Sequence, residues 1–240
     1  MIRKIKSGMD KLSGAVALLS TELLFVFIIF FISLAFLIVM IRLVFFQSQN
    51  AFDQKVFDYL LPYVTHTHTV IMQCITFFGS HYFLFPAWLL VFTWYFFIRK
   101  NKWFFIKLVT IALSNFLLLF GLKFLFNRTR PLIPLLKEVP GLSFPSGHAF
   151  MSLTFFGMII YIIYRDVANK WLKWIAIIIL VIIIFLIGLS RVYLRLHYAS
   201  DVIAGFCFGV LSLTILIWLL GRIEKFNAKK IPEVIKTLGQ

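Results

Sequence analysis

A chain of 240 residues is long enough for one domain, but 62% of its residues are hydrophobic, Phe alone occurs 30 times, and the mean hydropathy is +0.98. This composition excludes an ordinary soluble domain and indicates an all-α polytopic membrane protein. The net charge of +15 would suit nucleic acid, but in a membrane protein a basic excess more often reflects topology, so we expect no nucleic-acid partner.

Six apolar runs predict six transmembrane helices, because about 20 apolar residues in a helix cross a hydrocarbon core of about 30 Å. The fourth and fifth runs hold 16 residues each, so we expect their helices to extend into the polar residues beside them. The predicted organisation is a basic cytoplasmic segment at 1–20, a six-helix membrane domain at 21–220 and a cytoplasmic tail at 221–240. The runs are 23–41, 70–98, 103–126, 149–164, 174–189 and 202–220.

Lys and Arg concentrate on one side of these predicted helices. The N-terminal segment, the loops near 99–107 and 165–173 and the C-terminal tail hold 16 of the 24, and the opposite loops hold the other eight. Because cytoplasmic segments carry the basic excess, both termini are expected in the cytoplasm. The polar motifs fall on the external side, and the first run is long enough to be an uncleaved anchor.

The segment after the first run predicts a short helix lying on the external surface. Phe52, Val56 and Tyr59 recur at helical spacing within residues 50–61, and Pro62 ends the pattern. This helix carries no recognisable chemical motif of its own.

Three features of the following region give weaker signals. His66 and His68 have no Cys or carboxylate companions, so they make a weak metal site. The sequence Gly-Ser-His at 79–81 interrupts the second run; it lines a cavity or kinks the helix, and we favour the kink. Cys74 and Cys207 lie inside apolar runs, so they predict small core residues rather than a disulfide framework or a metal site.

The third run ends in two cations seven residues apart, Lys123 and Arg130, followed by Pro131. Seven residues are almost two helical turns, so the two side chains share a face if the helix persists, and the proline then stops it. Ionisable residues within a membrane span are functional candidates, although Lys123 alone would also fit a lysine that snorkels to the interface.

A loop at 132–144, with four Pro, Gly or Ser among its 13 residues, leads into Pro145-Ser146-Gly147-His148 at the start of the fourth run. This order is typical of a helix N-terminus, where free backbone N–H groups, a serine hydroxyl and a glycine form a cradle for an oxyanion. His148 would lie beside that cradle. A plain turn and N-cap give the same sequence.

The fifth run ends in Ser190-Arg191, and His197 and Asp201 lead into the sixth. If these two lie on one helical turn, their side chains share a face, and Asp201 accepts a hydrogen bond from one ring nitrogen while the other stays free to attack. Arg191 supplies a planar, permanently charged fork suited to phosphate. Taken alone, the stretch equally fits a membrane-edge loop with an interfacial Arg and His.

Together, and in this order, the three motifs resemble the three-part signature of the type 2 phosphatidic acid phosphatase superfamily, with every fixed position matched. The resemblance covers about residues 45–220. The external helix and the sequence at 76–80 are also similar to bacterial phosphatidylglycerophosphatases and undecaprenyl-pyrophosphate phosphatases of that superfamily. The resemblance implies a haloperoxidase-like helical bundle and a lipid phosphate in the bilayer as substrate. It implies no metal or other cofactor and no obligate protein partner.

The resemblance also implies roles, which agree with the chemistry of the residues. His197 attacks phosphorus to give a phosphohistidine, Asp201 holds its tautomer, and His148 protonates the leaving oxygen and then activates water. Phosphoryl transfer depends on positioning and electrostatic stabilisation, so the cations and donors bind the phosphate. The implied phosphate-binding residues are Lys123, Arg130, Ser146, Gly147 and Arg191.

The sequence leaves the substrate open among phosphatidylglycerophosphate, undecaprenyl pyrophosphate and phosphatidic acid. A phosphotransferase of the same superfamily, which passes the phosphoryl group to a lipid or sugar hydroxyl, is the nearest alternative. A lipid transporter that binds headgroups without cleaving them is less favoured, since it needs no nucleophile with an orienting carboxylate. Six spans argue against a soluble haloperoxidase.

Overall fold

The computed structural model describes residues 24–46, 51–131, 134–135 and 140–238, and side chains as far as residue 226. Every regular element in these ranges is a helix. The predicted basic segment at 1–20 lies outside the described residues. The elements, in chain order, are α1 Leu24–Phe46, α2 Ala51–Leu60, α3 His66–Phe77, α4 His81–Thr93, α5 Lys102–Phe126, α6 Gly147–Asp166, α7 Lys170–Tyr193 and α8 Ala199–Leu238.

The prediction of an all-α protein with six membrane-spanning helices is confirmed. α1, α5, α6, α7 and the part of α8 as far as Phe226 are each long and apolar enough to span. α3 and α4, with the short π-helix that follows α4, form the second span, His66–Ile98. The two short apolar runs extend as expected: α6 has 20 residues and α7 has 24. α8 continues as a helix beyond the sixth apolar run.

The core lies where α6 packs against α7 and α8. Buried side chains such as Phe155, Met158 and Ile187 form its centre, together with Leu108 of α5 and Trp88 of α4. Large apolar side chains on the outer faces stay exposed, which is the pattern of helices surrounded by lipid. Examples are Phe85, Phe124, Leu125 and Phe185.

Gly205 and Gly209, four residues apart on α8, allow α6 and α8 to approach closely. A Cβ atom on Gly205 would lie 2.9 Å from the Ser146 carbonyl oxygen and 3.1 Å from the Ala149 Cβ. A Cβ atom on Gly209 would lie 2.8 Å from a Leu153 methyl group. The first of these contacts is at the N-terminus of α6, so the glycine determines how close that helix end comes to α8.

The predicted short helix after the first run is confirmed as α2, and its place on the external surface stays a prediction. Its buried face is rotated from the one that its apolar spacing suggests. Phe52 and Tyr59 are exposed, whereas Asp53 and Phe57 are buried. The reason is electrostatic: the Asp53 carboxylate has ion-pair and hydrogen-bond partners in the bundle, and a buried carboxylate must be paired. The apolar side chains can face outward because lipid is an apolar solvent.

Two smaller expectations also need correction. Residues 78–80 separate α3 from α4 by a full break, not merely a kink, with Ser80 at the N-cap of α4. Cys207 is buried as expected, but Cys74 is exposed. Cys74 lies on α3, within the second span, so its exposed side chain is a small residue that faces lipid rather than the core.

We expect Gly205→Ala to lower the stability of the protein by about 1–3 kcal/mol, because the new methyl group meets backbone and has no room. Gly221→Ala is the matched control, since it places the same group on the same helix where nothing lies within 4 Å. That change should be neutral or stabilising by up to about 1 kcal/mol. Thermal unfolding in detergent measures both, and equal midpoints for the two variants would contradict the close approach.

Candidate active site

The polar motif residues meet at one end of the helical bundle. They come from the C-terminal ends of α5 and α7, the N-terminal ends of α6 and α8, and the two connections 127–146 and 194–198. The loops at 99–101 and 167–169 are at the other ends of the same helices. The fold therefore brings the three sequence motifs together, although they are up to 78 residues apart along the chain.

The sequence suggested that His197 and Asp201 share a helical turn. In the structure, His197 instead lies in the turn before α8, which begins at Ala199. The turn is held by Arg191, whose carbonyl accepts hydrogen bonds from the amides of Leu196 and His197 at 3.1 and 3.3 Å. The His197 Nδ1 still lies 3.6 Å from the Asp201 carboxylate, and the Ser143 hydroxyl lies 3.4 Å from the same nitrogen. The pairing of histidine and carboxylate thus survives with a different backbone.

The imidazole of His197 is in its neutral form at neutral pH. Burial lowers its pKa to about 4; Asp201 opposes this change, while the charges of Arg191 and Arg130 add to it. Only 1% of the residue is exposed. Its Nδ1 faces the carboxylate, and its Nε2 has no hydrogen-bond partner among the described residues. A neutral ring held through Nδ1 leaves Nε2 as the nucleophilic atom.

Ser146 is the N-cap of α6, which begins at Gly147 as the sequence predicted. Its hydroxyl accepts a hydrogen bond from the amide of Ala149, and its own amide donates to the Asp201 carbonyl at 3.0 Å. The second bond ties the start of α6 to the first turn of α8. His148 is the second residue of α6, within electrostatic reach of His197 and Arg191.

Lys123 and Arg130 do not share a continuous helix, so that expectation is wrong. α5 ends at Phe126 because Asn127 adopts the left-handed conformation (φ 42°, ψ 38°) as the C-cap, which Asn tolerates better than most residues. Both cations nevertheless reach the same loop. Lys123 Nζ donates to the Leu142 carbonyl at 2.6 Å, and Arg130 Nε donates to the Gly141 carbonyl at 3.2 Å.

Arg191 is buried with unused hydrogen-bonding capacity. One terminal nitrogen donates to the Thr76 hydroxyl of α3 at 2.9 Å, but its Nε is buried without a partner among the described residues. No carboxylate forms an ion pair with Arg191 in the described part of the chain. A buried cation with an orphaned N–H group is suited to bind an anion that enters the site.

The break between α3 and α4 lies against His148. A Cβ atom on Gly79 would stand 3.2 Å from the His148 ring and 2.5 Å from an Ile187 methyl group. Only glycine leaves room for the imidazole here. Gly79 therefore lines the site, so the interruption at 79–81 does more than kink the span.

Four residues that the sequence motifs do not include complete the surroundings of Asp201. The Ser143 hydroxyl donates to one carboxylate oxygen, and the Arg128 guanidinium donates to the other at 2.6 Å. Arg128 also bonds Ser200 at 2.8 Å and Asp53 at 2.9 Å. The sequence gives only a weak signal for two of them: Arg128 is an extra arginine two positions before Arg130, and Asp53 is an acidic residue on α2.

The remaining metal hypothesis gains no support from the described residues. His68 Nδ1 lies 2.9 Å from the Tyr63 carbonyl at the start of α3, and His66 is its exposed neighbour. Neither belongs to a group of three or more potential ligands within the ranges that the structure describes.

Comparisons with known proteins agree with this geometry. The family model of the PAP2 superfamily matches residues 103–225. Phosphatidylglycerophosphatase B of Bacillus subtilis is 32% identical over 161 residues, which are 66% of this chain and 78% of that protein. All three signature motifs lie inside the matched family region.

Two solved structures share the fold. One is the crystal structure of a transmembrane PAP2 type phosphatidylglycerolphosphate phosphatase from Bacillus subtilis, with a TM-score of 0.70 and 28% identity; the match covers 79% of this chain and 94% of that chain. The other is Aquifex aeolicus LpxE, with a TM-score of 0.52 and 25% identity, covering 68% and 93%. The chain is a multi-pass membrane protein that belongs to the PAP2 superfamily.

Proposed function

We propose that this protein is a membrane lipid phosphatase that works through a phosphohistidine intermediate on His197. One observation carries the proposal: a buried, neutral histidine paired with Asp201 meets three cations at a single end of the bundle. A site with that composition favours the transfer of a phosphoryl group, because positioning and charge stabilisation supply most of the catalysis.

Lys123, Arg130 and Arg191 bind the phosphate oxygens, with the amide of Gly147 and the N-cap Ser146 completing the cradle at the start of α6. The three cations differ in their hydrogen-bond partners. Arg191 has its Nε free of partners, whereas Lys123 and Arg130 bond only backbone carbonyls on the residues described. None of the three forms an ion pair in this region, so all three charges are available to a phosphate dianion.

The reaction then proceeds in two displacements. The Nε2 lone pair of His197 forms a bond to phosphorus while the bond from phosphorus to the leaving oxygen breaks, and His148 gives that oxygen a proton. Water next attacks the phosphohistidine, His148 takes a proton from it, and the bond from Nε2 to phosphorus breaks to release phosphate. Asp201 keeps the Nδ1 proton of His197 in place throughout. No metal is required, because fixed cations carry the charge.

The substrate we favour first is phosphatidylglycerophosphate, since the relative and the solved structure from Bacillus subtilis are both named for that activity. Undecaprenyl pyrophosphate and phosphatidic acid present the same terminal phosphate and are the alternatives. In each case the lipid chains stay in the bilayer beside the exposed apolar faces of the helices, and the phosphate alone enters the site.

We also propose that the site faces the outside of the cell. The helix ends opposite the site carry the basic loops at 99–107 and 165–173, and basic loops are cytoplasmic. With six spans, both termini are then cytoplasmic, and the substrate lies in the external leaflet.

Purified protein in detergent with EDTA should release phosphate from at least one of these three lipids, and His197→Ala should reduce release to background, because the nucleophile is lost. His66→Ala is the matched control, since this histidine at the start of α3 is exposed and forms no ion pair with a carboxylate among the described residues; it should keep wild-type activity. Malachite green detection of phosphate measures all three proteins.

Release of phosphate from a single lipid without an acceptor distinguishes hydrolysis from transfer to another hydroxyl. Activity that survives in His197→Ala would remove the nucleophile assignment. Loss of activity in EDTA that added Mg²⁺ restores would remove the metal-independent mechanism.

The pH dependence of turnover should be bell-shaped. The reactive form has a neutral His197 and a protonated His148, so kcat/KM rises as pH increases through the His197 pKa of about 4. The bound phosphate dianion stabilises the charged form of His148, so kcat falls at higher pH as His148 loses that proton. His148→Ala should lower kcat by about 10²–10⁴-fold and remove the alkaline fall. Initial rates between pH 3.5 and 9 test this, and an unchanged alkaline fall in that variant would exclude His148 as the acid.

A further inference from the structure

Arg128 lies between two buried carboxylates. Its Nη1 donates to Asp201 Oδ1 at 2.6 Å, and its Nη2 donates to Asp53 Oδ2 at 2.9 Å. Asp53 is 2% exposed and Asp201 is not exposed at all. The guanidinium carbon also lies 4.0 Å from the centre of the Tyr198 ring. The side chain is therefore held on its edge by ion pairs and on its face by an aromatic ring.

Ser200 closes the network on the side of α2. Its amide and its hydroxyl donate to the two oxygens of Asp53 at 2.9 and 2.7 Å, and its hydroxyl accepts from Arg128 Nη1 at 2.8 Å. Ser200 and Asp201 are neighbours in the first turn of α8. The surface helix α2 is thus bonded to the same turn that carries the carboxylate facing His197.

The backbone of Arg128 acts on the opposite side of Asp201. Its carbonyl accepts a hydrogen bond from the Ser143 amide at 2.7 Å, and the Ser143 hydroxyl donates to Asp201 Oδ2. The Tyr198 amide donates to the same oxygen at 3.0 Å. Both carboxylate oxygens of Asp201 are therefore fixed by contacts that depend on Arg128 or on the turn beside it.

Its ion pairs distinguish Arg128 from the three cations that we propose bind the phosphate. Arg128 is paired with two carboxylates, whereas Lys123, Arg130 and Arg191 have no ion-pair partner among the described residues. A guanidinium already neutralised by two anions attracts a third anion weakly. Its place next to Arg130 in the sequence is therefore not a sign that it binds substrate.

We propose that Arg128 and Asp53 are positioning residues of the reaction: Asp53, on the surface helix α2, holds the Arg128 guanidinium, which fixes the Asp201 carboxylate where it orients His197. The inference rests on the proposed phosphatase function. It also gives α2 a role, because the helix that lies at the membrane surface then contributes a carboxylate to the support of the nucleophile.

Asp53→Asn should lower kcat about 10- to 100-fold with KM within about two-fold, because a small displacement of a reacting group costs rate while the phosphate-binding cations are untouched. Asp58→Asn is the matched control: it makes the same change on the same helix, but Asp58 is exposed and, among the described residues, bonds only Gln54. It should keep the wild-type kcat and KM. Full-length protein in detergent with the preferred lipid is used for all measurements.

Arg128→Lys is the second variant, and it separates geometry from charge. Lysine keeps the positive charge but cannot bond Asp53 and Asp201 with one planar fork, so kcat should fall by a similar factor. A rise in KM with unchanged kcat would instead make Arg128 a substrate-binding cation and would overturn the proposal. So would an unchanged kcat in both Asp53→Asn and Arg128→Lys, or an equal loss in Asp58→Asn.

The pH at which the acid limb of kcat/KM lies is a further readout, because partial loss of folded protein lowers the rate without changing that pH. His197 is faced by Asp201 from α8, Arg191 from α7, His148 from α6 and Arg130 from the connection after α5. Neutralising Asp53 leaves the charge of Arg128 less compensated, so the pKa of His197 falls and the limb moves to lower pH by a few tenths of a unit or more. Arg128→Lys keeps the charge, so the limb stays near its wild-type position.

Titration of the histidine ring carbons by nuclear magnetic resonance measures the pKa of His197 without turnover. The His197→Gln variant identifies which signal, among those of the five histidines, belongs to His197. A wild-type protein that releases no phosphate would refute the proposed function, while this titration would still decide the coupling of Asp53 to His197. A His197 pKa that is the same in wild type and Asp53→Asn would overturn the inference, and a fall confined to Asp53→Asn and absent from Asp58→Asn would support it.

Discussion

The structure of the site depends on keeping the Asp201 carboxylate ionised inside a helical bundle. A fully buried carboxylate loses several kcal/mol of hydration, and it stays charged only when hydrogen bonds and a cation replace the water. Arg128, Ser143 and the Tyr198 amide provide that replacement. The carboxylate in turn faces Nδ1 of His197. The surroundings of one acidic residue thus determine the orientation of the His197 ring, and they explain why α2, the loop before α6 and the first turn of α8 must meet.

Close helix packing brings these partners together. The absence of a side chain at Gly205 lets α8 approach the start of α6 until the Ser146 amide bonds the Asp201 carbonyl, and Gly79 leaves space for the His148 ring. Both glycines act at contacts with site residues rather than through special backbone angles. The same packing that stabilises the bundle in lipid therefore sets the distances at its reactive end, because helices in a membrane associate mainly through close van der Waals contact.

The sequence predicts those features that depend on neighbouring residues. Apolar runs give the six spans, and Ser146 followed by Gly147 marks the start of α6, since hydrophobic periodicity and N-cap chemistry are local. Asn127 was also a local signal: it directly follows the third apolar run, where an asparagine is typical of a helix end. Its left-handed conformation ends α5 before Arg130, which the spacing of Lys123 and Arg130 alone does not indicate. The pairing of Asp53 with Arg128 spans 75 positions. No local pattern encodes such a contact, and the apolar spacing of α2 does not indicate that Asp53 is buried.

Charge pairing also explains how one small region can hold four cations with different tasks. Arg128 has two carboxylate partners, so its charge is used within the protein, and its removal would leave two buried anions unpaired. Lys123, Arg130 and Arg191 bond only carbonyl and hydroxyl oxygens among the described residues, so their charges remain uncompensated until an anion arrives. In the proposed reaction, binding of a phosphate dianion relieves the repulsion among them. On that proposal, a residue's counter-ion, rather than its distance from the motif, separates a structural cation from a substrate-binding one.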